Sequence, residues 1–78
     1  MRKRSISIKG HRTSILLEPE FWAILDKAAE QRATSLPSLI ADIDKERLKA
    51  ASAPGLASAL RVFALAEARR LGVGDEAG

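Results

Sequence analysis

His11-Arg12-Thr13-Ser14-Ile15-Leu16-Leu17-Glu18-Pro19-Glu20-Phe21-Trp22 contains the change of period that decides the fold. Up to Leu17 the residues alternate, with β-branched Thr13 and Ile15 on one parity and Arg12, Ser14 and Leu16 on the other, which predicts a strand over about 11–17. Glu18-Pro19-Glu20 stops the strand and starts a helix, because proline is tolerated at a first helical position and acids favour the positive end of the helix dipole. Phe21, Ile24, Leu25, Ala28 and Ala29 then recur at i, i+3, i+4, i+7 and i+8, one buried helical face with Trp22 covering its flank.

Upstream, Ser5-Ile6-Ser7-Ile8 also alternates before Gly10 interrupts it. A glycine there permits either a turn that folds residues 4–9 back on 12–17 or a bulge in an extended segment. The reading adopted is a basic N-terminal arm over 1–10 and a folded domain over 11–71. Downstream, the first helix is expected to end near Arg32 or Ala33. Ser35 is the N-cap of a second helix with Pro37 in its first turn. Leu36, Leu39, Ile40 and Ile43 line its inner face, and Asp42, Asp44, Lys45, Glu46 and Lys49 form a solvated outer surface. Ser52-Ala53-Pro54-Gly55 breaks it. A third helix over about 55–71 carries two apolar stripes, Leu56/Ala59/Leu60/Phe63 and Val62/Leu65/Ala66, which implies contacts on two sides. Residues 72–78, glycine-rich and acidic, are expected to form a flexible tail.

Charge is distributed unevenly. Residues 1–12 hold five of the thirteen Lys/Arg and none of the ten acids, so the net +3 is concentrated at the N-terminus. That asymmetry is an electrostatic footprint for a polyanion; a solvated basic tail is the bland alternative. Cysteine and tyrosine are absent and His11 is the sole histidine. With no glycine-rich phosphate loop and no His/Asp/Glu cluster at ligand spacing, the sequence points away from an enzyme, a metal site or a cofactor. No apolar run approaches the roughly 18 residues of a membrane span, and the alternating Ser/Ile start is unlike a secretory leader. The expectation is a cytoplasmic protein without membrane contact.

A lone strand leaves backbone N–H and C=O groups unpaired on both edges. The simplest partner is the same strand of a second copy, antiparallel about a two-fold axis, with helices packed beneath. The expected fold is therefore mainly α with one N-terminal strand, completed as an intertwined homodimer by an intermolecular two-stranded ribbon. Ile15, Leu17, Phe21, Trp22, Leu25, Leu39, Ile40 and Ile43 are its expected dimer core. Arg12, Ser14 and Leu16 would face outward. An exposed two-stranded ribbon fits the DNA major groove, where Arg12 can grip a guanine, Ser14 can donate or accept, and Leu16 can meet a thymine methyl. Arg2, Lys3, Arg4, Lys9 and His11 are candidate phosphate contacts, joined by Thr34 and Ser35 at the N-terminus of helix 2. Arg61 is read as an ion-pair anchor to an acid of helix 1 or 2.

The runs Gly10-His11-Arg12-Thr13-Ser14-Ile15-Leu16-Leu17-Glu18-Pro19-Glu20-Phe21-Trp22, Ser35-Leu36-Pro37-Ser38-Leu39-Ile40-Ala41-Asp42-Ile43-Asp44 and Ser58-Ala59-Leu60-Arg61-Val62-Phe63 resemble small bacterial ribbon-helix-helix proteins over about residues 3–71. The resemblance implies a dimer, a DNA-reading ribbon and a phosphate clamp at helix 2, as in the Arc and methionine repressors. Two positions depart from that pattern. Leu16 stands where the ribbon usually presents a polar side chain, and Ala33-Thr34 stands where a glycine is common. The implied function is a sequence-specific DNA-binding regulator, a repressor or autoregulator of transcription, acting as a homodimer or a tetramer of paired dimers. The competing reading is a protein-interaction module such as an antitoxin, with residues 55–71 holding a protein partner. Residues 72–78 are short for a partner-wrapping tail.

Overall fold

The computed structural model describes residues 1–70. Strands β1 (Arg2–Ile8) and β2 (His11–Leu17) lead into helices α1 (Pro19–Gln31), α2 (Leu36–Arg47) and α3 (Leu56–Arg70). A two-stranded antiparallel ribbon followed by helices is the expected architecture, but the partner of β2 is the chain's own β1, where a second copy had been expected. The register runs from Arg2 opposite Leu17 to Ile8 opposite His11. Residues 2–8, read above as part of an arm, are thus one half of a hairpin. The reason lies in the two-residue loop. Lys9 has φ 50° and Gly10 φ 82°, the double positive φ of the tight turn whose twist matches that of paired strands. A two-residue loop brings β1 to β2 at little closure entropy, whereas a second copy must be recruited from solution. The expected tail, 72–78, and residue 71 of the expected domain lie outside the described residues.

Glu18 supplies the carbonyl that begins α1, accepting from the backbone N–H of Phe21 (3.0 Å) and Trp22 (3.2 Å). The helix ends where expected, by a specific device. Arg32 is its C-cap, Ala33 adopts φ 53°, and the N–H groups of Ala33 and Thr34 donate to Glu30 and Ala29 at 3.0 Å each. This is a Schellman closure, with alanine in the left-handed position that glycine usually takes. Ser35 caps α2, its Oγ accepting from Ser38 N at 3.2 Å. At the far end of α2, Arg47 donates to Asp44 at 2.9 and 2.6 Å and to the carbonyl of Pro54 at 2.9 Å, fixing the loop that turns into α3.

The core lies between the ribbon and the helices. Ile6 and Ile8 of β1 and Ile15 and Leu17 of β2 pack onto Trp22, Leu25, Ala28 and Ala29 of α1, Leu39, Ile40 and Ile43 of α2, and Leu60 of α3. Seven of the eight residues expected to need a second copy (Ile15, Leu17, Trp22, Leu25, Leu39, Ile40, Ile43) are therefore buried within one chain, and Phe21 is partly buried. Burial of a side chain of this size contributes about 1.5–3 kcal/mol. What replaces the second copy is β1 on one side and α3 on the other.

Two ion-pair anchors hold α3 in place. Arg61 Nε donates to Glu18 Oε1 at 2.9 Å, the expected bond to an acid, found at the head of α1. Glu67, 4% exposed, accepts from both ends of the Arg32 guanidinium (2.9 and 3.0 Å) and from Arg70 (2.7 Å). Hydrogen bonds from Arg32, then from Arg70, hold the Glu67 carboxyl down to about 2. The two expected apolar stripes of α3 have different fates. Leu60 is buried and Leu56, Ala59 and Phe63 pack against the core, whereas Val62 and Leu65 stay exposed.

Candidate nucleic-acid interface

Strand pleating gives the ribbon two chemically distinct faces. Residues 6, 8, 15 and 17 point inward and are buried. The outer face consists of three cross-strand pairs, Lys3 with Leu16, Ser5 with Ser14, and Ser7 with Arg12, all six residues exposed. Lys3 and Arg12 occupy diagonal corners four register positions apart, roughly 13 Å along the ribbon at strand rise, with hydroxyls between them. Arg12, Ser14 and Leu16 are thus brought together on one surface. Ser5 and Ser7 complete it, and sequence reasoning had not included them, although the Ser5-Ile6-Ser7-Ile8 alternation already placed them on one parity.

No acid occurs before Glu18. Among the described residues, Arg2, Lys3, Lys9 and Arg12 form no ion pair, and all four are exposed. Arg4 differs. It lies on the inner parity, donates to both carboxylate oxygens of Asp26 at 3.0 and 3.1 Å, and stacks 4.7 Å from the Trp22 ring. The same indole donates its N–H to the carbonyl of Arg2 at 2.8 Å. Arg4 therefore ties β1 to α1, its guanidinium held by the Asp26 carboxylate. Alternation alone could not reveal this, because Asp26 is 22 residues away.

Lys9 in the turn and His11 beside it rest near Asp44 and Arg47 in the C-terminal half of α2 and Leu56 at the start of α3. Thr34 and Ser35 are exposed at the opposite end of α2. Their capacity for a phosphate is modest. Pro37 has no N–H, that of Ser38 is taken by Ser35 Oγ, and of the first three helical positions only Leu36 keeps its N–H free. The hydroxyls of Thr34 and Ser35 add polar reach.

No group of His, Cys, Asp and Glu among the described residues could hold a metal ion. No described helix is long and apolar enough to cross a membrane. No curated protein and no solved structure matches the chain. The family model described as "Ribbon-helix-helix domain" matches residues 1–68, a span that takes in β1 and nearly all of α3. Members of that family are in general DNA-binding proteins of transcription-factor type that form dimers, and with a match over most of its length, this chain belongs to the ribbon-helix-helix domain family.

Proposed function

We propose that the chain is a sequence-specific DNA-binding regulator that represses or autoregulates transcription by placing the outer face of its ribbon in the major groove. The observation that carries the reading is that face itself: six exposed side chains, basic and hydroxyl-bearing apart from Leu16, on a hairpin without a single acid. Two strands about 4.8 Å apart fit a groove about 12 Å wide. Arg12 is assigned to a guanine edge, Ser5, Ser7 and Ser14 to acceptors and donors nearby, and Leu16 to a thymine methyl. Arg2, Lys3, Lys9 and His11 are assigned to phosphates, with Thr34 and Ser35 as a second phosphate site. Arg4 is left out, because Asp26 already holds it.

Titration against duplex DNA at two salt concentrations tests this. Arg2, Lys3 and Lys9 neutralising three phosphates should weaken binding about 40-fold between 50 and 200 mM salt, and a dimer delivering six should raise that to about 10³-fold. Arg12→Ala should lose roughly 1–3 kcal/mol at one base position and relax preference there. Salt-insensitive or absent binding refutes the proposal. The competing reading, in which α3 holds a protein partner, draws on the exposure of Val62 and Leu65. Stable co-purification with the product of an adjacent reading frame, together with loss of that complex in a Val62→Asp variant, would favour it.

A further inference from the structure

The two strands of the hairpin are near copies of one another. Laid side by side in sequence order, Arg2–Ile8 and His11–Leu17 align without a gap, Lys3 with Arg12, Ser5 with Ser14, Ile6 with Ile15 and Ile8 with Leu17. Their burial is the same residue by residue. The ladder gives that likeness a meaning in space. Ser5 and Ser14 are the middle residues of their strands and lie opposite each other. A local two-fold axis through that pair carries each residue of β1 onto its counterpart in β2. Lys3 exchanges with Arg12, and the buried Ile6 and Ile8 exchange with Ile15 and Leu17. Among the outer side chains only Ser7 and Leu16 differ in kind. Arg4 and Thr13 differ on the inner parity, where Arg4 is turned to Asp26 of α1 and takes no part in the outer face.

We propose that a single chain carries a whole reading head of pseudo-two-fold symmetry, and that its ligand is a short quasi-palindromic duplex element with one guanine on each strand and a single asymmetric position set by Ser7 and Leu16. This rests on the reading that the ribbon enters the major groove. A face that repeats itself about a two-fold axis meets the same base edge twice, once on each strand. Arginine and lysine share one preferred edge, guanine O6 and N7, so Lys3 and Arg12 suit the two symmetric positions. At strand rise their corners span about four base-pair steps of the duplex. The Lys3 ammonium has three donors, enough to meet that edge and still reach the phosphate assigned to it above. Ser7 and Leu16 then break the symmetry. The hydroxyl meets donor or acceptor edges at one end, the leucine favours a thymine methyl at the other, and the element acquires a direction.

Selection of bound duplexes from a randomised library tests the assignment, using the wild type and variants at Lys3, Ser7, Arg12 and Leu16. All four side chains are exposed, and circular dichroism checks that each variant stays folded. The wild type should enrich an element with two symmetric guanines and one asymmetric position. Lys3→Ala should relax the preference at one guanine and Arg12→Ala at the other, by about 5- to 100-fold each. Ser7→Leu and Leu16→Ser each give the two strands the same outer side chain, so each should enrich a fully palindromic element, the former with thymine in both halves. A ribbon made from the β2 strands of two copies would present Arg12 at both symmetric positions. Arg12→Ala would then relax both guanines together and Lys3→Ala neither, a result that overturns the proposal. An element that stays asymmetric in both Ser7→Leu and Leu16→Ser overturns it too. Total binding and its salt dependence are read on the same samples. Loss of all DNA binding by the wild type therefore refutes the ribbon reading and this proposal with it, whereas intact binding with the wrong pattern refutes the pseudo-symmetry alone.

Discussion

Replacing Ala33 by glycine is expected to stabilise the protein, and the size of the effect follows from the backbone. Ala33 sits at φ 53°, where an L side chain crowds the following carbonyl at about 1–2 kcal/mol. Glycine removes that strain, and the two bonds that close α1, Ala33 N–H to Glu30 and Thr34 N–H to Ala29 at 3.0 Å each, involve only backbone and persist. The residue is exposed, so no buried contact is lost. Against this, glycine frees the unfolded chain by about 0.4–1 kcal/mol. The net gain is roughly 0.5–1 kcal/mol, or about 2–8 °C in melting temperature for a domain of this size. Thermal melts and urea titrations at one fixed protein concentration would measure it, with an unchanged m-value showing that the denatured state is comparable. Gly10→Ala is the matched opposite. Gly10 has φ 82°, and a methyl group added there would meet no atom within 4 Å, so only conformation is perturbed, and destabilisation of about 1 kcal/mol or more is expected. A lower melting temperature for Ala33→Gly, or the same sign for both substitutions, would refute the reasoning.

Glu67 should make the fold acid-sensitive. Its carboxyl is lowered from 4.5 to about 2 in the folded chain, so its contribution is present above the ordinary carboxylate range and is lost as pH falls from 4.5 towards 2. Urea denaturation across that interval should show wild-type stability falling by on the order of 1–3 kcal/mol, the lower part of that range reflecting solvent screening of the half-exposed arginines. Glu67→Gln should flatten the profile and be less stable at neutral pH; an equally steep profile would remove Glu67 as the cause. Arg4→Ala should speed hydrogen exchange in β1 by loosening its tie to α1, yet leave the salt dependence of DNA binding unchanged, because its charge is held by Asp26. Lys3→Ala should do the reverse, reducing the salt slope by about 1 per chain with β1 protection intact.

Local chemistry determined much of this protein without any tertiary information. The switch from period two to helical period at Glu18-Pro19-Glu20, the Ser35 cap, the break before α3 and the opposite faces of Thr13/Ile15 and Arg12/Ser14/Leu16 each depend on residues a few positions apart. The acid-free basic start was equally plain, and with it the expectation of a polyanion. The tertiary structure decided which strand pairs with β2. Alternation demands a partner but does not specify one, and Lys9-Gly10 suits a turn only if lysine accepts φ 50°, which its side chain does not advertise. It also decided that Arg4 serves Asp26 and Trp22, that Glu67 is buried between two arginines, and that the expected dimer core closes within one chain. The contacts of Arg4 with Trp22 and Asp26 and of Arg32 with Glu67 join residues 18, 22 and 35 positions apart. Sequence periodicity states which face of an element is buried; what lies against that face is settled only when the chain folds back on itself.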